Sequence, residues 1–454
     1  MPKKAVAIFL LLGLVGAALY IYFTFPRSAD QIPKSNNQRP YPSAPGPNGV
    51  PLPESVPHPN TPKLPPGASL RVMAWASAAE TPALQAEADA FAAQTGNIPS
   101  LQIDGDEASY RRDLREAFAS DIPPDVCLIA ARDFSGIDPG ELAPVPRPTG
   151  ISPRSIAAFT AGDAVHAVPD EFSVDMLFYN ARYFDQAGIA YPDRHWTWDI
   201  MEAITRALTS LNLRDEQGRA IYALELPADF DFWNILCTQA GHPALERNQW
   251  HLADSESRDS HLRGLDLIYE FFHELNVAAP PDRAGSAPGE YFSQQRAAIL
   301  IAPSELAAML PDFRHGMTLL PSDLQRASLA RVNGWAVSVR SSQIQSAQIL
   351  AAYLARQPVH QGWTSVNLPA DDAAPENLCH EALEQSLLPR LEPKTERLAA
   401  LLDEQIGSFA SGDGANKPEN LYAQIQLEYQ AGYAPPVRAA LPLHAAPKAD
   451  VRGL

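Results

Sequence analysis

Cysteine is scarce in this chain of 454 residues: Cys127, Cys237 and Cys379 are the whole supply. They lie far apart and form no CxxC pair, so the spacing of a structural zinc site is absent. An odd count allows at most one internal disulfide, and buried thiols are the plainer reading. Positive charge is also short, with 35 Lys and Arg against 53 Asp and Glu, a formal net charge of −18. A sequence-independent nucleic-acid binder needs a basic surface, so that class is set aside. Catalytic signatures are missing too. No GxSxG elbow, HExxH or GxxxxGK[ST] loop occurs. The eleven His residues show no metal-ligand spacing, and His242 and His251 read as solvated loop residues. No cofactor is implied.

One long apolar run is present. Ala5 to Phe25 is uncharged, follows Lys3-Lys4 and precedes Pro26-Arg27. That length spans a bilayer, and the lysines place the rest of the chain outside the cytoplasm. A cleaved signal peptide is the competing reading, with Val15-Gly16-Ala17 as a small-residue cleavage site. The segment 26–67 is rich in Pro, Ser and Asn, cannot bury a core, and reads as a spacer.

Beyond it the pattern is αβ. Leu70–Trp75, Leu101–Ile103 and Val126–Ala130 read as buried strands, with amphipathic helices over 81–95 and 110–120 between them. Strand, helix, strand, helix, strand implies a parallel α/β sheet. Later strands are expected at 174–179, 221–226, 297–302, 317–321 and 333–339. Helices are expected at 181–187, 200–211, 229–241, 257–275, 304–310, 346–355, 396–406 and 421–430. Trp196, Trp198 and Trp363 read as packing residues.

The stretch from Val165 to Asp199 organises the chain. It holds Leu177-Phe178-Tyr179-Asn180, then Phe184 and Gly188, then Trp196-Thr197-Trp198-Asp199. This order resembles the bacterial extracellular solute-binding proteins of ABC importers, family 1, the maltose-binding-protein-like group. Pro124-Asp125-Val126, the Gly140–Pro144 turn, Phe292, Ala297-Ala298 and Leu368-Pro369 extend the likeness over about 68–430. Two departures stand out. The first hundred residues hold no Cys for a lipid anchor, and Gln295-Arg296 stand where the family has a Gly.

The resemblance implies a two-lobed α/β fold whose chain crosses between lobes, preceded here by one N-terminal transmembrane helix. The expected divisions are an anchor or signal over 1–25, a linker over 26–67, lobe 1 over 68–175, lobe 2 over 176–332, a return over 333–362, closing helices mainly of lobe 2 over 363–433, and a loose tail over 434–454. It also implies a carbohydrate solute, hinge closure, permease subunits as partners and a place in the bacterial envelope.

Sugar binding needs aromatic faces and planar polar groups at strand ends and helix starts around one cleft. Trp75, Arg132, Asp133, Glu171, Ser173, Phe230, Asp231, Trp233, Glu305 and Trp335 occupy such places. Each also has a plainer role: Trp233 shares a helix that needs a core face, and Arg132 and Asp133 could simply pair with each other. Asp170 and Glu171 are adjacent on an extended segment and point to opposite sides, so they cannot flank one glycosidic bond. Two other functions remain open, a sensory or scaffold role and, behind it, a glycan hydrolase.

Overall fold

The computed structural model describes residues 67, 69–246, 248–281, 289–368, 376–388 and 392–432. The expected anchor, nearly all of the linker and the tail lie outside the described residues. Within them, no helix is long and apolar enough to cross a membrane.

Strand β1 (Ser69–Trp75) pairs in parallel with β2 (Ile98–Asp104) and β3 (Val126–Ala130). All five residues of β3 are buried, as a parallel strand covered on both faces requires. The connecting helices are Thr81–Thr95 and Glu107–Ala119. Gly96 ends the first in the left-handed conformation, φ 73°. Asp106 caps the second by accepting from the Ser109 N–H at 2.7 Å. That helix starts earlier than periodicity indicates, because the cap rather than the apolar face sets its first turn.

The sheet continues through β4 (Ala167–Asn180), β5 (Tyr222–Glu225), β6 (Ala297–Pro303), β7 (His315–Thr318) and β8 (Ser328–Val337). Its order is β2-β1-β3-β8-β4-β6-β5, with β7 also on β4. Strand β4 corrects the expectation of a strand confined to 174–179. It runs unbroken for 14 residues, straight through Pro169. A proline cannot donate to the ladder and is tolerated at a bulge. Here the register slips between Asn333 and Gly334, so that Asn333 faces Glu171 while Gly334 faces Pro169. Gly334 is required there, since a Cβ would sit 2.8 Å from the Val168 carbonyl oxygen.

The first half of β4 pairs with β8 and its second half with β6 and β7. The two long strands β4 and β8 thus carry one sheet from one apolar core to another. The first core gathers β1–β3 and the helix Ile344–Leu354. The second gathers the helices Trp198–Ser210, Phe230–Gln239, Arg258–Tyr269, Pro393–Ser411 and Pro418–Gly432.

Three further expectations shift. The 257–275 helix ends as a π-helical turn, Glu270–Glu274. The 304–310 helix is a short 3-10 turn, Ser304–Ala308. At the position of the missing glycine, Gln295 adopts φ 55°, the left-handed conformation that a glycine takes without strain.

Candidate functional site

The facing middle segments of β4 and β8 place charged side chains inside otherwise apolar strands. Asp175 is buried, and its Oδ1 accepts from the Arg331 guanidinium at 2.7 Å. The Ser328 hydroxyl donates to the Asp175 carbonyl at 2.7 Å, which fixes the backbone of the pair. Burial pulls the Arg331 charge down, but Asp175, Glu305 and Asp231 outweigh it and raise its pKa further. One guanidinium therefore answers three carboxylates.

Around that pair the carboxylates resist ionisation. Burial raises Glu305, whose side chain accepts the Ser173 hydroxyl. Burial also raises Asp231, against the pull of Arg331 and Arg132. Asp229 caps the helix Phe230–Gln239 by accepting from the Phe232 N–H at 2.8 Å, and is pushed up to about 7 by burial and then by Asp231. The Arg132 Nε is buried and has no hydrogen-bond partner among the described residues.

Asp170 and Glu171 lie side by side in β4, both wholly buried. Their side chains diverge, as the extended backbone dictates. Asp170 accepts from the Trp335 indole N–H at 3.0 Å, while its other oxygen has no partner among the described residues. Burial first and Glu171 second push its pKa well up. Glu171 accepts from the Asn333 amide at 2.9 Å, from the His360 backbone N–H at 2.9 Å and from the His360 ring.

Trp75 ends β1 in contact with two rings, Tyr110 and His360, each 5.1 Å away between centroids. The Tyr110 hydroxyl donates to the Leu128 carbonyl at 2.7 Å, which anchors that ring. Beside it Arg111 donates to Asp133 at 2.8 Å and to Glu396 at 3.0 Å. Arg111 and Asp133 belong to the first core's side and Glu396 to a helix of the second, so this triad spans the cleft. The Asn248 amide crosses it as well, donating to the Ser135 hydroxyl at 3.2 Å. Partly exposed links of this kind are worth little each, which suits a contact made and broken reversibly. The space left beside Trp75 is about 40 Å³, against roughly 300–1,000 Å³ for small-molecule pockets. A cavity of about 370 Å³ between the helices Pro393–Ser411 and Pro418–Gly432 shares no residue with the crossover strands.

The ten residues singled out from the sequence fall into groups. Ser173, Asp231 and Glu305 meet around Arg331, with Arg132 close to Asp231. Trp75 and Glu171 share His360, and Asp133 closes the triad next to them. Asp133 pairs with Arg111, not with its neighbour Arg132. Trp233, Phe230 and Trp335 go elsewhere. Trp233 is 0 % exposed and donates to the His261 carbonyl inside the second core. Phe230 packs beside it, 6.2 Å between ring centroids. Trp335 is also 0 % exposed and packs into the first core. None of these three presents a face to a solute in this arrangement. Trp196 and Trp198 pack as expected, whereas Trp363 is only half-buried.

Asp175, Arg331, Asn333 and His360 were not among the sequence candidates. Asp175 and Arg331 carry a signal that periodicity could have used, a charge inside a buried apolar strand. His360 carries none, since it sits in a loop far along the chain from its partner.

No family model matches the sequence, and no curated protein matches it. Solved structures do. An ABC substrate-binding protein from Listeria monocytogenes in complex with cycloalternan superposes with a TM-score of 0.65 at 18% identity, over 80% of this chain and 98% of that one. The sugar-binding protein MalE from Xanthomonas citri gives 0.65 at 17%, over 80% and 96%. Maltose-bound MalE3 from T. maritima gives 0.64 at 14%, over 80% and 100%. The chain has their fold. At such identities the likeness speaks for the architecture, a mixed α/β fold matching two-lobed binding proteins, and the residues must speak for the rest.

Proposed function

We propose that the chain is the solute-binding component of an ABC importer and takes a sugar or oligosaccharide between its lobes. The observation that carries this reading is the cleft cluster. Ser173, Asp175, Asp231 and Glu305 gather around Arg331 on and beside the paired strands β4 and β8, and Trp75 lies with Glu171 about their shared neighbour His360. Planar charged groups suit sugar hydroxyls, and an indole face suits a pyranose ring. The three neighbours named above include one in complex with cycloalternan and one bound to maltose. The lobes are read as 68–175 with 333–362, and 176–332 with most of 363–433. Strands β4 and β8 are the hinge, and solute shifts the population towards closure by binding that form better. The cleft is a binding site, not a catalytic one. Ala5–Phe25 acts as an uncleaved anchor, the Pro-rich linker lifts the lobes off the membrane on the outer face, and permease subunits receive the closed form.

Calorimetry with mono- and oligosaccharides tests this, on wild type, Trp75→Ala and Ser173→Ala. Saturable binding without turnover, weakened in both variants, supports the reading. A second reading, a membrane-anchored sensory or scaffold protein that keeps the fold without transport, is favoured by the small size, about 40 Å³, of the space beside Trp75. Flat titrations across sugars, amino acids, polyols and phosphoesters would select it.

A further inference from the structure

We propose that residues 357–363 form a strap that competes with the solute for the indole of Trp75, and that the Glu171–His360 pair latches it. The inference rests on the reading of the cleft as a solute site. Tyr110 packs against the indole from within lobe 1, 5.1 Å between centroids and tilted 43° to it. The chain's own imidazole, His360, lies against the same indole, 5.1 Å between centroids and tilted 32° to it. A pyranose stacking on Trp75 needs the place this ring holds.

The strap is tied at three points, each on a different element. On β4, Glu171 accepts from both the backbone and the ring of His360. At the head of the helix Thr81–Thr95, the Glu80 carboxylate accepts from the Gln361 N–H at 2.7 Å. On the far side Gly362, φ 82°, lies against the turn Ser304–Ala308, where a Cβ would be 2.5 Å from the Glu305 carbonyl oxygen. The strap therefore touches lobe 1, the crossover strand and the turn that carries Glu305. Its grip on the indole is augmented when the ring is charged, because a cation is drawn to an aromatic face.

The latch has a direction in pH. Burial alone would keep His360 neutral, but the hydrogen bond and charge of Glu171, with Glu80 and Glu107 behind it, raise its pKa above the ordinary histidine value. These three carboxylates sit on β4, before the helix Thr81–Thr95 and on the helix Glu107–Ala119. Asp170, next to Glu171, is held towards its neutral form by burial. The protonated ring holds the strap below that raised pKa, and the hold is lost as pH rises through it. Solute affinity should therefore rise with pH.

Two measurements on the full chain decide this. The first needs no ligand. Tryptophan fluorescence from pH 5 to 9 should show a step as His360 titrates against Trp75 and Trp363, absent in His360→Gln and reduced in Trp75→Phe. A step of unchanged size in His360→Gln overturns the contact. The second uses maltose and maltotetraose as probes. With the strap docked in about nine molecules of ten, His360→Ala, Glu80→Ala and Gly362→Ala should each bind about tenfold tighter than wild type at pH 6, with the gap closing by pH 9. Glu80→Ala and Gly362→Ala leave the buried Glu171 untouched, so they read the strap even if His360→Ala folds poorly. Probe binding that is equal in all four proteins overturns the strap and leaves the solute site standing. If no probe binds any of them, the solute reading fails, and the competition falls with it whatever the fluorescence step shows.

Discussion

Replacing Asp229 by Asn should stabilise the protein at pH 8 and leave it nearly unchanged at pH 4. The folded carboxyl titrates at about 7 against an ordinary value of 3.8. Burial is the main cause, followed by the charge of Asp231. In the unfolded chain the group ionises near pH 4. Between the two values the unfolded state binds fewer protons, so wild-type stability falls as pH rises from about 4 to about 7 and then levels off. The gap between 3.8 and about 7 corresponds to about 4 kcal/mol as a ceiling. Asp229 keeps part of its surface in water, and screening cuts that figure by about half. Asparagine caps a helix about as well as aspartate, but loses an anion at the N-terminus worth roughly 0.3–1 kcal/mol. The net expectation is a gain of about 1–2 kcal/mol at pH 8. Urea unfolding of both proteins at pH 4, 6 and 8 measures it. Two stability curves that run parallel across that range would refute the reasoning, because the carboxyl would then titrate alike in both states.

Three other substitutions follow from local geometry. Gln295→Gly relieves a left-handed residue at φ 55°. Relief of roughly 1–2 kcal/mol less glycine's entropy of roughly 0.5–1 leaves a gain of about 0.5–1, read as a higher urea midpoint at constant slope. Gly264→Ala puts a Cβ 2.9 Å from Trp233 Cδ1 and 3.3 Å from Cys237 Sγ. It should cost about 1–3 kcal/mol, despite alanine's better helix propensity, and lower the thermal midpoint. Arg111→Ala removes the cation between Asp133 and Glu396. Stability should change by under about 1 kcal/mol, while small-angle scattering should show a larger radius of gyration as the cleft opens; an unchanged radius would mean that the triad does not hold the cleft shut.

The parallel opening of the fold was legible because its determinants are local. Gly96, Asn180, Gly188 and Thr197 end or cap helices where the pattern places them. Strand β4 was not legible as one element, since Pro169 is tolerated only through a bulge opposite Gly334, more than a hundred residues on. The same distance hides which tryptophans face the cleft. Trp75 and Trp335 look equivalent as strand residues placed where a cleft is expected, yet the indole N–H of Trp335 is claimed by Asp170 inside the first core. Position on a strand selects a face of the sheet, and only the layers packed on it decide whether that face meets a solute. Charge is the better guide. Asp175 and Arg331 interrupt apolar strands, and Asp229, Asp231 and Glu305 are held near them with raised pKa values. An apolar set of equal volume would fold more stably than this group of mutually repelling acids, since a buried charge is costly unless fully paired. Strain of that kind gathers where binding, not stability, sets the residues. The functional reading therefore belongs to the acids and arginines of the crossover, together with the Trp75–His360 contact, and not to the larger set of buried aromatics.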